Sequence, residues 1–203
     1  MRPLRDRVRS ATREAILSAA EAIFARRGVA GAHMEEISAQ AGVAVGTLYN
    51  YFDDRSALLA AVLQSNGREL AARLDAELPP ASAPFEDQLR SLVTVVFRHV
   101  EAHFELFAML TEEELGSGRL TTGGRRGPPP AMRALHERAA AVISAGMAQG
   151  ALREDALGLQ PSLLLGMMKG VFRWRLFTSE RPPMADLVEP VVRTFLHGAG
   201  RPA

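Results

Sequence analysis

The stretch Ala41-Gly42-Val43-Ala44-Val45-Gly46-Thr47-Leu48-Tyr49-Asn50-Tyr51-Phe52 constrains this chain more than any other part of it. A small residue and a glycine close one short helix, a turn follows, and a second short helix carries apolar residues on one side and small or polar ones on the other. That layout is a helix-turn-helix, whose second helix is shaped to lie in the major groove of DNA. Ile37 and Ala41 on the first helix, and Leu48 and Phe52 on the second, turn toward a common core.

The rest of the chain supports helices throughout. No segment alternates with period two for long enough to make a strand, and Gly and Pro punctuate apolar residues spaced for helices. The predicted class is all-α, with about nine helices. The first runs from about Val8 to Arg27, with Thr12, Ile16, Ala20, Ile23 and Phe24 on one side, and Gly28 stops it. The short pair follows at about Met34 to Ala41 and Val45 to Tyr51. Asp53-Asp54 then caps a long helix from Arg55 to about Leu78, because aspartate oxygens accept the orphan amide hydrogens of a helix start. Pro79, Pro80 and Pro84 end it. Further helices are expected over Phe85–Ala102, Phe104–Leu115, Ala131–Gln149, Leu159–Thr178 with Pro161 in its first turn, and Met184–His197. Gly116 to Pro130, which includes Arg125 and Arg126, is expected to be irregular.

Charge and composition narrow the function classes. Lys+Arg 24 against Asp+Glu 23 leaves a net charge of +1, so binding to nucleic acid has to come from local placement of charge. The sequence has no cysteine, which excludes thiol catalysis and cysteine-ligated zinc and suits a reducing cytoplasm. No signal-peptide core or membrane span is expected.

In this order of elements, Gly28, His33, Met34, Ile37, Ala41-Gly42-Val43, Gly46 through Phe52 and Arg55-Ser56-Ala57-Leu58-Leu59 closely resemble the tetracycline-repressor family of transcriptional regulators. The specific resemblance covers about the first 60 residues; the later helices match only in number, order and length. It implies a helix-turn-helix DNA-binding domain over 1–54 and a ligand-binding and dimerisation domain over 55–203, with the helix 55–78 as connector. It also implies a homodimer held through the last two helices. That part of the chain has wide apolar faces around Leu163–Leu176 and Leu187–Leu196, and Gly166 and Gly170 would let another helix approach.

Carried over residue by residue, Gly46 lets the backbone come close to the sugar-phosphate chain, and Thr47, Tyr49 and Arg55 offer hydroxyls and a cation to phosphates. Ala44, Val45 and Asn50 face base edges, the aliphatic pair toward thymine methyls and the amide toward adenine. Tyr51 either touches DNA or packs the small helical unit. Ala44 stands where the family often has a capping Ser or Thr, and His33-Met34 where a threonine is common. An arm before the first helix, with Arg2, Arg5, Arg7, Arg9 and Arg13, lies along phosphates or in a minor groove, or is a solvated tail.

For a small hydrophobic or amphipathic effector the expected lining is Phe97, His99, His103, Phe104, Phe107, Met132, Met167, Met168, Phe172 and Arg173, mostly apolar with a few polar groups. The four-residue spacing of His99 and His103 puts both imidazoles on one helical face, as metal ligands require. Glu101, between them, points about 200° away on an ideal helix. The pair therefore reads as structural or as pocket lining, and neither a metal nor a cofactor is expected. Glu112, Glu113 and Glu114 read as a solvated helix end. No nucleophile motif is present, and the resemblance implies a ligand-responsive regulator, a repressor released from a palindromic operator. The alternatives are a small helical metal-dependent hydrolase using His99 and His103, or a DNA-independent helical dimer.

Overall fold

The computed structural model describes residues 4–117, 130–154 and 157–199. Arg2, Gly200 and most of the stretch from Gly116 to Pro130, with Arg125 and Arg126, lie outside the described residues. Among those residues the chain forms nine α-helices, one 3-10 turn and no strand. In order they are α1 (Leu4–Gly31), α2 (Met34–Ala41), α3 (Val45–Tyr49), α4 (Arg55–Glu77), α5 (Phe85–Ala102), α6 (Phe104–Ser117), α7 (Pro130–Ala148), α8 (Gln160–Phe177), the turn at Met184–Leu187, and α9 (Val188–Ala199).

The start of α1 needs correction. The helix starts at Leu4, so Arg5, Arg7, Arg9 and Arg13 stand on α1 itself and not on an arm ahead of it. Leucine and arginine are good helix formers, and Asp6 in the first turn complements the positive end of the helix dipole. At the other end Gly28 breaks the helix with φ 69° and ψ 170°, a conformation open to glycine alone, and helical residues resume up to Gly31. The amide of Val29, exposed by that break, donates to Glu113 Oε1 at 2.9 Å. Glu113 is thus a cap for the broken helix rather than part of a merely solvated end.

The helices pack as two compact units. The first comprises the described residues of Met1–Gly67 and Phe104–Thr121, the second those of Arg68–His103 and Thr122–Ala203. In the first, α1 packs on α2 and α6, and α2 on α3. Its core joins Ile16, Ala20, Ile23 and Phe24 of α1 to Ile37, Leu48, Phe52, Leu58, Leu106 and Met109. Thr12, expected on this face, is half-buried, with its hydroxyl donating to Val8 O at 2.9 Å.

In the second unit α5 is the centre, packing on α7, α9 and the 3-10 turn, while α8 packs on α7 and α9. Leu89, Leu92 and Val93 are fully buried there. Gln149 fastens the start of α5: its Oε1 accepts from the Phe85 amide at 2.9 Å and its Nε2 donates to Ala83 O at 2.9 Å. The Phe85 ring lies over Gly146, whose missing side chain is the space it occupies.

Candidate nucleic-acid interface

The turn between α2 and α3 follows from Gly42. Its φ of 70° ends α2 in the left-handed conformation, and the amide of Val43 reaches back to Ser38 O at 3.0 Å. The backbone then restarts at Ala44, whose carbonyl accepts from Thr47 and Leu48 at 2.9 and 3.2 Å. As their side chains dictate, neither Ala44 nor His33 gives its helix a side-chain cap. Asp54 does cap α4: its Oδ1 accepts from the Ala57 amide at 2.7 Å.

On α3 one side is committed and the other is not. Leu48 is fully buried, Val45 and Thr47 are half-buried, and Ala44, Gly46, Tyr49 and Asn50 are exposed. A Cβ placed on Gly46 would meet nothing within 4 Å, so no packing within the chain requires a glycine there.

Tyr51 and Arg55 have work inside the unit. The Tyr51 hydroxyl donates to Arg9 O at 3.3 Å, and the Arg9 guanidinium lies 6.0 Å from its ring centre. Arg55 donates through Nη1 to Ala30 O at 2.7 Å and Ala32 O at 3.2 Å, closing the corner between α1 and α2. Arg9 and Arg13, one helical turn apart, line a cleft with Asp6, Ser10, Asn50 and Tyr51. They take this place beside the end of α3 as residues of α1 and not of an arm ahead of it.

The expected effector lining is divided. Phe104 and Phe107 belong to the first unit, and Phe97, His99, His103, Met132, Met167, Met168, Phe172 and Arg173 to the second. Phe97, His99, Met168 and Phe172 are buried, whereas Met132 is exposed. The buried arginine of α8 is Arg175, not Arg173. Its Nε donates to Pro182 O at 2.5 Å and its Nη2 to Glu101 Oε1 at 2.9 Å.

Glu101 is therefore held away from the histidine pair, as its helical angle requires. His99 and His103 lie with ring centres 4.6 Å apart. Glu69, from α4, takes the position beside them, with Oε2 3.4 Å from His103 Nε2 and Oε1 accepting from Arg73 at 2.7 Å. Burial pushes the Glu69 carboxyl up, but the Arg73 hydrogen bond and the charges of His103, Arg73 and His99 outweigh it and leave the group below its ordinary value. The sequence carries no mark of this neighbour, since it belongs to a different helix.

A helix-turn-helix with the outer face of its second helix free of internal duty, flanked by two arginines, defines a DNA-binding protein. Residues 16–62 match the family described as bacterial regulatory proteins, tetR family. Over 153 residues, 71% of this chain and 67% of the relative, the sequence is 31% identical to the HTH-type transcriptional repressor NicS of Pseudomonas putida. The fold is similar to that of the fatty acid degradation regulator FadR from Bacillus halodurans, with TM-score 0.80 and 22% identity over 92% of this chain and 95% of that one. It is also similar to FadR from Bacillus subtilis in complex with stearoyl-CoA, with TM-score 0.79 and 19% identity over 91% and 98% of the two chains.

The chain belongs to the tetR family of bacterial regulatory proteins. It is a DNA-binding transcriptional regulator, which overturns both the hydrolase and the DNA-independent dimer as alternatives. Regulators of this family bind DNA and small-molecule effectors and are dimers. No described helix is long and apolar enough to cross a membrane.

Proposed function

We propose that this chain is a cytoplasmic repressor whose homodimer reads a palindromic operator and is released by a small hydrophobic or amphipathic effector. The observation that carries the reading is the outer face of α3, where a Cβ added to Gly46 would meet nothing within 4 Å and Ala44, Tyr49 and Asn50 are exposed. Thr47 and Tyr49 hold phosphates while Ala44, Val45 and Asn50 meet base edges. Arg9 and Arg13 extend the cationic surface past Asn50. Arg55 reaches the backbone with the N–H groups beyond Nη1, and Tyr51 acts mainly by holding α1 against the end of α3.

The dimer forms through α8 and α9. Leu159, Leu163, Gly166, Gly170, Trp174 and Phe177 recur three or four residues apart, all exposed, and thus make one stripe along α8. A Cβ on Gly166 or Gly170 would meet nothing within 4 Å, so neither glycine serves packing within the chain. A two-fold contact lays this stripe against its own copy. Release follows when the effector prefers a dimer geometry whose reading heads no longer fit successive major grooves. The relative NicS is named a repressor, and the stearoyl-CoA held by the FadR of Bacillus subtilis is an amphipathic thioester, both of which support this reading.

The test begins with an operator selected from random duplex DNA and followed by fluorescence anisotropy. Thr47→Ala combined with Tyr49→Phe is expected to weaken binding by roughly tenfold or more, from two lost hydrogen bonds to charged oxygens. Wild-type affinity should fall steeply with salt. Unchanged affinity in the double variant would refute the contact assignment. Acyl-CoA thioesters of graded chain length then test release.

A further inference from the structure

Three side chains in the second unit bring their donor atoms together in a way that DNA binding does not use. The ligand atoms of Glu69, His99 and His103 all lie within 4.8 Å of one another. One imidazole stands in the last turn of α5, the other on its C-cap residue His103, and the carboxylate comes from α4, so helices fix the backbones of Glu69 and His99 and the C-cap turn that of His103. In a tetrahedral zinc site with bonds of about 2.0–2.1 Å, donor atoms sit about 3.3 Å apart. His103 Nε2 and Glu69 Oε2, at 3.4 Å, already have that separation. The remaining closure is within reach of side-chain rotation, because the Glu69 side chain is 42% exposed and that of His103 15%, while His99, 1% exposed, is the fixed point.

We propose that Glu69, His99 and His103 bind one divalent transition-metal ion of the zinc, cobalt or nickel class. Two imidazole nitrogens and one carboxylate oxygen suit these ions, whereas magnesium and calcium take shells of oxygen. The sequence has no cysteine to supply the thiolates that a softer ion would select. Arg73 completes the arrangement as a positioning residue: it holds Oε1 of Glu69 at 2.7 Å and leaves Oε2 turned toward His103. Three protein donors leave a fourth position for water or for a donor atom of a small molecule. The bound ion links α4 to α5, and by mass action it stabilises the folded chain.

The test uses the full chain without a histidine tag, stripped with chelator, and contains no DNA, so its outcome is independent of the operator reading. Cobalt is titrated while its visible absorption is followed, and zinc is titrated by calorimetry and by its effect on Tm. The expected result is one ion per chain, tetrahedral-type cobalt bands and a rise in Tm with zinc. Glu69→Gln and His103→Ala, chosen because neither side chain is deeply buried, should each bind at least about tenfold more weakly and lose the Tm rise. Absence of cobalt bands and zinc heat in the wild type would overturn the proposal. So would wild-type affinity retained in both variants, which would place any bound ion elsewhere.

Discussion

The two units hold their functional groups in opposite ways. In the first, the reading surface comes from one short run of sequence: Ala44 to Asn50 puts Leu48 inward and leaves Gly46, Tyr49 and Asn50 outward, and the helical repeat alone decides which is which. In the second, the notable groups come from separate segments. Glu69 of α4 meets His99 of α5 and His103 at its C-cap, and Arg175 of α8 meets Glu101 of α5. A local motif is set by the spacing of neighbours in the chain, whereas an assembled cluster is set by helix packing. The contrast predicts that the first unit tolerates little change in its short core and that the second can be altered on its outer face without loss of fold.

The largest expected effect tests the first half of that statement. Leu48 is fully buried at the heart of the helix-turn-helix. Leu48→Ala should cost about 2–5 kcal/mol, from lost transfer free energy and the cavity left behind. Urea unfolding measures it, and operator binding should fall with the folded fraction. A cost below about 1 kcal/mol would mean that this core closes around the gap, and the motif would then be less tightly specified than its packing indicates.

The second expected effect lies on the outer face of α8. Leu163 is 59% exposed and Trp174 53%, both within the stripe. Leu163→Arg should leave helicity and Tm measured at high dilution near wild type, yet shift the sedimentation mass from dimer to monomer at micromolar concentration. An unchanged dimer would move the two-fold contact off α8, and a collapsed fold would show that the exposed stripe serves the single chain after all.

How much of this was legible in the sequence follows the same division. Helices α2 and α5 fall at the expected residues, since Gly42 and Pro84 punctuate them locally. The start of α1 falls at Leu4 and not near Val8, because helix propensity and Asp6 favour a continuous helix over an arm, whether DNA-bound or solvated. Arg173 was singled out where Arg175 is buried, because wide apolar faces on α8 do not reveal which side meets α7 and α9. Glu69 was invisible for a stronger reason. Nothing in the order of residues says that α4 passes beside that face of α5. The capping role of Glu113 was hidden likewise, as it depends on the amide freed by the break at Gly28.

Two helical glycines give the smallest effects and the sharpest comparison. A Cβ on Gly146 would land 2.5 Å from Cδ2 of the buried Phe85 ring, so the cause of this glycine lies inside the second unit. Gly146→Ala should destabilise by about 1–3 kcal/mol through overpacking, less whatever helix propensity returns. At Gly46 the same substitution meets open space. Gly46→Ala should leave Tm unchanged or raise stability by up to about 1 kcal/mol, because alanine is the better helix former. Its cost should appear only in operator affinity, where the added methyl holds the backbone off the sugar-phosphate chain. Thermal unfolding and anisotropy on the two variants separate a glycine kept for packing from one kept for a partner. If Gly46→Ala were to lower Tm while sparing DNA binding, the outer face of α3 would have an internal role, and the difference between the two units would lose its clearest support.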